Sequence, residues 1–348
     1  MPQWVSSDFD RGSMVGTTEN TATFDVVGVG NAIVDVLAEV EDAFIDQHSL
    51  AKGGMTLIEA DRALQLHEAM PPGLEISGGS AANTMVGVAG FGGKAAYIGK
   101  VSADSLGDHF GRDLAEAGVS FTVPGAHEGL PTARCLIQVT PDAQRTMNTF
   151  LGVSSHLTRD DVDPELVASG ATLYCEGYLW DREVAKDAIR FAMDTAREAN
   201  RRVALTMSDQ MCVDRHRQEW QALLDDRVDV VFANRSELCA FYQVDDLEEA
   251  VDAVASHVDL AFITLGPQGS LIVNGSNRIE VPADELDGVV DTTGAGDLYA
   301  SGGLYGLSRG VALEQAGRLG SVAAAEVISH LGARPAENLV EVAQRIIG

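Results

Sequence analysis

Short β-branched or apolar runs recur along the chain at Phe24 to Gly30 (FDVVGVG), 95–101 (AAYIGKV), 171–177 (ATLYCEG), 202–207 (RVALTM), 228–234 (VDVVFAN) and 260–266 (LAFITLG). Several end in glycine or a small residue, as buried strands that lead into loops do. Between most of them lie stretches of helical period, among them AANTMVGVAGF, LGDHFGRDLAEAG, REVAKDAIRFAMDTAREAN and DLEEAVDAVASHV. Strands alternating with amphipathic helices predict an α/β fold with a mainly parallel sheet covered on both faces, whose ligands sit beyond the carboxyl ends of the strands. Two stretches break the alternation: 36–57, and 131–151, where TARCLIQVT and QRTMNTFL flank PDAQ as a hairpin. Neither shows an obvious covering helix, and together they predict a small sheet that projects as a lid or forms an ordinary edge hairpin. Two long helical segments, Ala295 to Ser308 and Leu313 to Leu331, follow with no strand between them and should close one flank.

Composition narrows the function. Fifty-two acids against twenty-four bases give a formal charge of −28, a field that opposes nucleic acid and anionic membranes. Lysine is confined to Lys52, Lys94, Lys100 and Lys186, so a phosphate ligand would depend on backbone amides, arginine or a metal. No apolar run reaches the length of a membrane span. Residues 1–22 lack the basic flank and apolar centre of a secretory signal and read as a disordered leader before a domain at 23–348. Cys135, Cys175, Cys212 and Cys239 form no CxxC pair, which signals neither zinc nor a disulfide framework and suits a reducing cytoplasm.

The most informative stretch is DTTGAGDLYASGGLYG, Asp291 to Gly306. A strand-like Val289-Val290 leads into glycines that let backbone approach a ligand, and the first-turn N–H groups of the following helix form an anion site. Asp297 lies in that first turn, where the macrodipole stabilises its charge. It is either a helix-start acid or a base that takes a proton from an attacking hydroxyl while the amides hold a phosphoryl group. SGGSAAN, Ser77 to Asn83, is a second glycine-rich helix start, suited to a polar ligand or to tight packing. Asn234 and Glu237 in NRSE form either a capping box or a pair of oxygen ligands for magnesium through its waters. Thr264, Gly266 and Gly269 in TLGPQG line a nucleotide tail or make a turn. A Walker loop does not fit around Lys94, and Gly28 to Asp35 puts Ile33 where a dinucleotide fingerprint needs its third glycine.

GGSAAN, NRSE, TLGPQG and DTTGAGD, in this order and at these intervals, resemble the ribokinase-like (PfkB) carbohydrate and nucleoside kinases from about Phe24 to Pro335. The resemblance implies a three-layer α/β/α sandwich with a small β lid, ATP and Mg2+, and phosphoryl transfer to a primary hydroxyl. It implies Asp297 as base, Gly294, Ala295 and Gly296 as anion hole, and Asn234 with Glu237 as the metal and phosphate motif. It also implies Asn31, Asp35, Gly78, Gly79, Ser80 and Asn83 as substrate contacts, Arg145 as a lid arginine that reaches the phosphates, and Asp291 with Thr293 as ligands of a monovalent cation such as K+. Sugar kinases of the ribokinase type carry lysine where this chain has Ser80, and GNAIVDVLAEVEDAFIDQHSL is more similar to adenosine kinases. Ile33, Met147, Leu151 and Tyr178 would supply an apolar floor for a purine. The expected acceptor is therefore a purine nucleoside, adenosine first, with ribose, fructose or 2-keto-3-deoxygluconate as alternatives. A non-catalytic nucleoside or sugar sensor is the remaining alternative, and the chain is expected to be a monomer or a homodimer.

Overall fold

The computed structural model describes residues 22–142, 144–284 and 288–348; the expected leader falls almost wholly outside them. The first half carries β1 (Phe24–Val29), β2 (Ile33–Glu39), α1 (Asp42–Gln47), β3 (Met55–Leu57), α2 (Ala60–Ala69), β4 (Leu74–Gly78), α3 (Ser80–Gly90), β5 (Ala95–Ile98), α4 (Ser105–Glu116), β6 (Val119–Phe121), β7 (Ala133–Val139) and β8 (Arg145–Phe150). Next come α5 (Pro164–Ser169), β9 (Gly170–Glu176), α6 (Glu183–Glu198), β10 (Arg202–Thr206), α7 (Gln210–Asp226), β11 (Val230–Asn234), α8 (Arg235–Tyr242) and α9 (Leu247–Val254). The chain ends with β12 (Leu260–Thr264), β13 (Ser270–Asn274), β14 (Asn277–Val281), α10 (Ala295–Arg309), α11 (Leu313–Ile328) and α12 (Leu339–Ile347).

Among the described residues the large sheet runs β14-β13-β12-β11-β10-β9-β1-β5-β6. It is parallel from β6 to β12 and antiparallel at the β12-β13-β14 edge. The β1 run is apolar throughout because both of its faces are covered. Val27 and Val29 join a core with α6 to α9, while Val26 packs with α3 and α10 on the other face. This is the expected sandwich.

A second sheet, ordered β3-β8-β7-β2-β4, contains the expected hairpin as the antiparallel pair β7-β8. It draws on more of the chain than 36–57 and 131–151, since β2 starts at Ile33 and β4 adds 74–78. The expectation that it lacks helical cover is corrected: α1 lies inside 36–57, and Leu66 and Met70 at α2 are buried with Val34, Val36 and Leu136. Strand alternation sends Ile33, Asp35, Cys135, Ile137, Met147 and Thr149 to the opposite face. Met55, Leu57 and Leu74 share that face by register and are among the exposed large apolar side chains.

Three further differences concern local context. Val289-Val290 is no strand; both residues are exposed and Val290 N donates to Ile328 O at the end of α11, because two residues without a partner strand cannot build a ladder. The β13-β14 hairpin and α12 are additions to the sequence reading. Helix α10 crosses α11 with almost no side chain between the backbones: a Cβ on Gly302 would stand 2.3 Å from Gly320 N. That contact seats α10 deeply enough to bring its first turn to the strand ends. Gly302→Ala should therefore lower stability by about 1–3 kcal/mol through overpacking, more than the ~1 kcal/mol of helix propensity that alanine adds. A denaturant titration checks this, and the midpoint should fall.

Candidate active site

Asp297 sits on the first turn of α10, next to Gly294 in the left-handed conformation at φ +80°. A Cβ on Gly294 would stand 2.7 Å from the Ala333 side chain, so both backbone angle and space call for glycine there. Ala295 N donates to Thr292 O, whereas the amides of Gly296 and Asp297 meet no acceptor among the described residues. Gly296 faces open space. The Asp297 carboxylate is held from α3: Ser80 Oγ donates to Oδ1 at 2.6 Å and Asn83 Nδ2 to Oδ2 at 3.0 Å. Removal from water pushes its pKa up, against the lowering effect of these two hydrogen bonds and of the Arg334 charge. Ser80 and Asn83, expected as substrate contacts, thus first orient this acid.

A cavity of about 80 Å³ joins Asp297, Ser80 and Gly296 to Asn234, Glu237 and Thr264 at the carboxyl ends of β11 and β12. Asn234 and Glu237 close a reciprocal capping box: Glu237 N donates to Asn234 Oδ1 at 2.9 Å and Asn234 N to Glu237 Oε2 at 2.8 Å. The capping alternative is therefore realised, on the wall of a cavity. Burial raises the Glu237 carboxyl to about 7. On the far side of α10's first turn, a larger cleft of about 530 Å³ is lined by Thr264, Gly266, Gly269, Val289, Ala295, Ala324 and Ile328 among others. Its apolar walls beside free amides suit a planar base joined to phosphates.

On the other side lies the turn between β4 and α3. Gly78 and Gly79 are small because β2 presses on them: a Cβ on Gly78 would stand 2.5 Å from Asp35 Oδ2, and one on Gly79 2.2 Å from Asn31 O. Desolvation lifts Asp35 to about 6, with Arg334 and Arg145 opposing and Asp297 reinforcing the rise. Ile33 and Met147 share the Asp35 face of the small sheet; Leu151 follows β8 directly. Tyr178 follows β9, its hydroxyl donating to Ser208 O.

Asn31 is held from within the protein. It is buried with its polar atoms engaged internally: N and Nδ2 donate to Glu176 Oε1 at 3.2 and 2.9 Å, and Oδ1 accepts from Ser154 Oγ. These bonds brace the β1-β2 turn. Arg145 Nη1 donates to Asp291 and to Thr293 Oγ1, so the lid arginine and the expected cation ligands meet in one ion pair. The Asp291 carboxylate also accepts from Thr293 N, Thr293 Oγ1 and Gly332 N.

The sequence pattern singles out neither Glu176 nor Arg334. Glu176 closes β9, and an acid at the end of the run ATLYCEG was a visible signal; Arg334, in an irregular loop after α11, offered none. Glu176 Oε2 accepts from Ala81 N at 2.9 Å while Oε1 holds Asn31, which locks the β1-β2 turn to the start of α3.

The sequence matches the pfkB family carbohydrate kinase domain over residues 54–339, and the chain belongs to that family. A crystal structure of adenosine kinase from Sinorhizobium meliloti is 46% identical, with 93% of this chain and 99% of that one covered and a TM-score of 0.86. A probable sugar kinase from Rhizobium etli CFN 42 has the same identity and TM-score over 93% of this chain and 98% of its own. Adenosine kinase of Saccharomyces cerevisiae is 27% identical over 336 residues, covering 89% of this chain and 96% of that protein. The protein is thus an adenosine-kinase-like phosphotransferase with an alcohol acceptor, which uses ATP on a small-molecule substrate.

Burial raises the Glu176 carboxyl to about 7 against its three N–H donors. A folded-state pKa above the unfolded value means that the native state binds the extra proton. The associated stability is full below pH ~4.3 and is lost as pH rises through about 7. Glu176→Gln should remove this component and leave one donor facing an amide, costing about 1–3 kcal/mol. Thermal midpoints between pH 5 and pH 8 should fall less in the variant than in the unmodified protein.

Proposed function

We propose that the protein transfers the γ-phosphoryl group of ATP to the 5′-hydroxyl of a purine nucleoside, adenosine first. The observation that carries this reading is the half-buried Asp297 carboxylate beside the unpaired amides of α10's first turn, on a cavity that opens toward Glu237. In this reading Asp297 takes the proton of the acceptor hydroxyl, displacing one of its contacts from α3. The amides of the Gly294-Ala295-Gly296 turn receive the charge that develops on the migrating phosphoryl oxygens. The base of ATP lies in the apolar cleft by Thr264, Gly266 and Gly269. Mg2+ would be held through water by Glu237 beside Asn234 and would neutralise phosphate charge. Asp35 accepts hydrogen bonds from the ribose hydroxyls, and the apolar strand positions around Ile33 and Met147, with Leu151 and Tyr178, face the purine. The two-sided cleft would exclude water that would otherwise consume ATP.

For the acceptor, likeness to both an adenosine kinase and a probable sugar kinase leaves a direct comparison to decide. A panel of adenosine, inosine, guanosine, cytidine, ribose, fructose and 2-keto-3-deoxygluconate with Mg-ATP should give phosphorylated product fastest with adenosine. Preference for a free sugar would reverse the nucleoside assignment, and no acceptor-dependent ATP consumption would favour a sensor.

Asp297→Asn should lower kcat by about 10²–10⁴-fold while nucleoside binding, read by calorimetry, persists. Near-normal turnover would refute the role of base. Gly296→Ala puts a methyl group into the open space over the amides. It should leave the thermal midpoint nearly unchanged and reduce kcat/KM for ATP at least tenfold.

A further inference from the structure

The loop after α11 reaches three parts of the fold. Gly332 N donates to the Asp291 carboxylate at the start of the DTTGAGD turn, and Ala336 N and Glu337 N donate to Glu326 on α11. Between them Arg334 forks onto the last residues of β4: Nε and Nη2 both donate to Ser77 O, and Nη2 also reaches Ser77 Oγ at 2.5 Å. Ser77 is tied in turn to Asp113 on α4, its N donating to Oδ2 at 2.8 Å. Arg334 is largely buried, with 18% of its side chain exposed, and Asp113 lies 4.0 Å away. Nη1 is buried without a hydrogen-bond partner among the described residues. A guanidinium in this position is more than a strut, because Ser77 precedes the Gly78-Gly79 turn on which Asp35 presses and the Ser80 that holds Asp297. For Asp297 it is the positive charge that favours the ionised form, and for Asp35 it is the stronger of two, ahead of Arg145.

We propose that Arg334 is a positioning residue of the transfer reaction. Its fork fixes the Gly78-Gly79 turn against the loop that carries Asp291, and through that turn it sets the places of Asp35, which presses on Gly78, and of Ser80, which donates to Asp297. The proposal rests on the reading of Asp297 as the base. Among the described residues, the ionisable groups that interact electrostatically with Asp297 are Asp35 from β2, Tyr174 and Glu176 from β9, Tyr178 from the turn after β9, and Arg334, and Glu237 from α8 lines the same cavity. The other five carry negative or neutral side chains, which leaves Arg334 as the cation of the set. Removing it lets two neighbouring carboxylates repel, so Asp297 would protonate at higher pH and less of it would be in the proton-accepting form.

The test uses the full chain with Mg-ATP and adenosine, or the acceptor the panel selects. It compares Arg334→Met, which loses charge and fork, with Arg334→Lys, which keeps the charge. In Arg334→Met the acidic limb of the kcat/KM profile should move up by at least half a pH unit, and acceptor KM should rise about tenfold or more. In Arg334→Lys the limb should return to its original pH while acceptor KM stays raised, because an ammonium group cannot reproduce the fork. A purely structural role would lower the thermal midpoint and leave the limb in place; an unmoved limb in folded Arg334→Met overturns the proposal. If the methionine variant does not fold, the lysine variant decides by itself: equal changes in the KM values for acceptor and ATP, or no change in either, overturn it. Near-normal turnover by Asp297→Asn overturns the base assignment and this proposal together. Inactive Asp297→Asn with an unmoved limb in Arg334→Met overturns the role of Arg334 alone.

Discussion

A carboxylate withdrawn from water at the start of a helix imposes conditions on everything around it. Asp297 needs donors for both oxygens, and α3 supplies them from Ser80 and Asn83. Helix α3 can bring those side chains so close because Gly87 lies against Ser301 and Leu298 of α10, where any Cβ would stand 2.4 Å from Ser301 Oγ. The same economy of side chains lets α10 settle on α11 at Gly302 and Gly320. Glycine is a poor helix former, and its density here is understandable only as close approach. The helices give up propensity to place one acid beside unpaired amides.

The electrostatics follow from that placement. Asp35, Glu176, Glu237 and Asp297 are all pushed upward by burial, in a chain that already carries a charge of −28. Neutral donors compensate some of them, Asn31 and Ala81 for Glu176 and the capping box for Glu237. Positive charge enters through two arginines from opposite sides: Arg145 from the small sheet and Arg334 from the loop after α11. Arginine suits both places because it remains charged when buried and can bind with several donors at once. An anionic nucleotide would therefore meet amides and arginines locally despite the repulsive sign of the whole surface.

In the proposed reading, the small sheet connects this arrangement to the acceptor. One of its faces is sealed by α2 and the main core, and the other turns Asp35 toward the site with apolar neighbours around it. A polar contact within an apolar surface is what a nucleoside requires, with hydroxyls at one end and a planar base at the other. The contact between Arg145 and Asp291 links that sheet to the loop preceding α10.

The alternation of strand and helix, the glycine-flanked helix starts and DTTGAGD were legible because they depend on local chemistry: period, backbone freedom and helix-end dipoles act over a few residues. The family, the sandwich and the position of Asp297 follow from them. Local pattern also suggested a strand at Val289-Val290, where no strand among the described residues pairs with it. It gave no sign that the chain folds Glu176 and Ser154 onto Asn31. The pairing of Arg145 with Asp291 and the fork of Arg334 on Ser77 join residues 146 and 257 positions apart. Only the tertiary structure decides such contacts, because burial and charge at these sites are set by which distant segments arrive there, and no local period encodes that arrival.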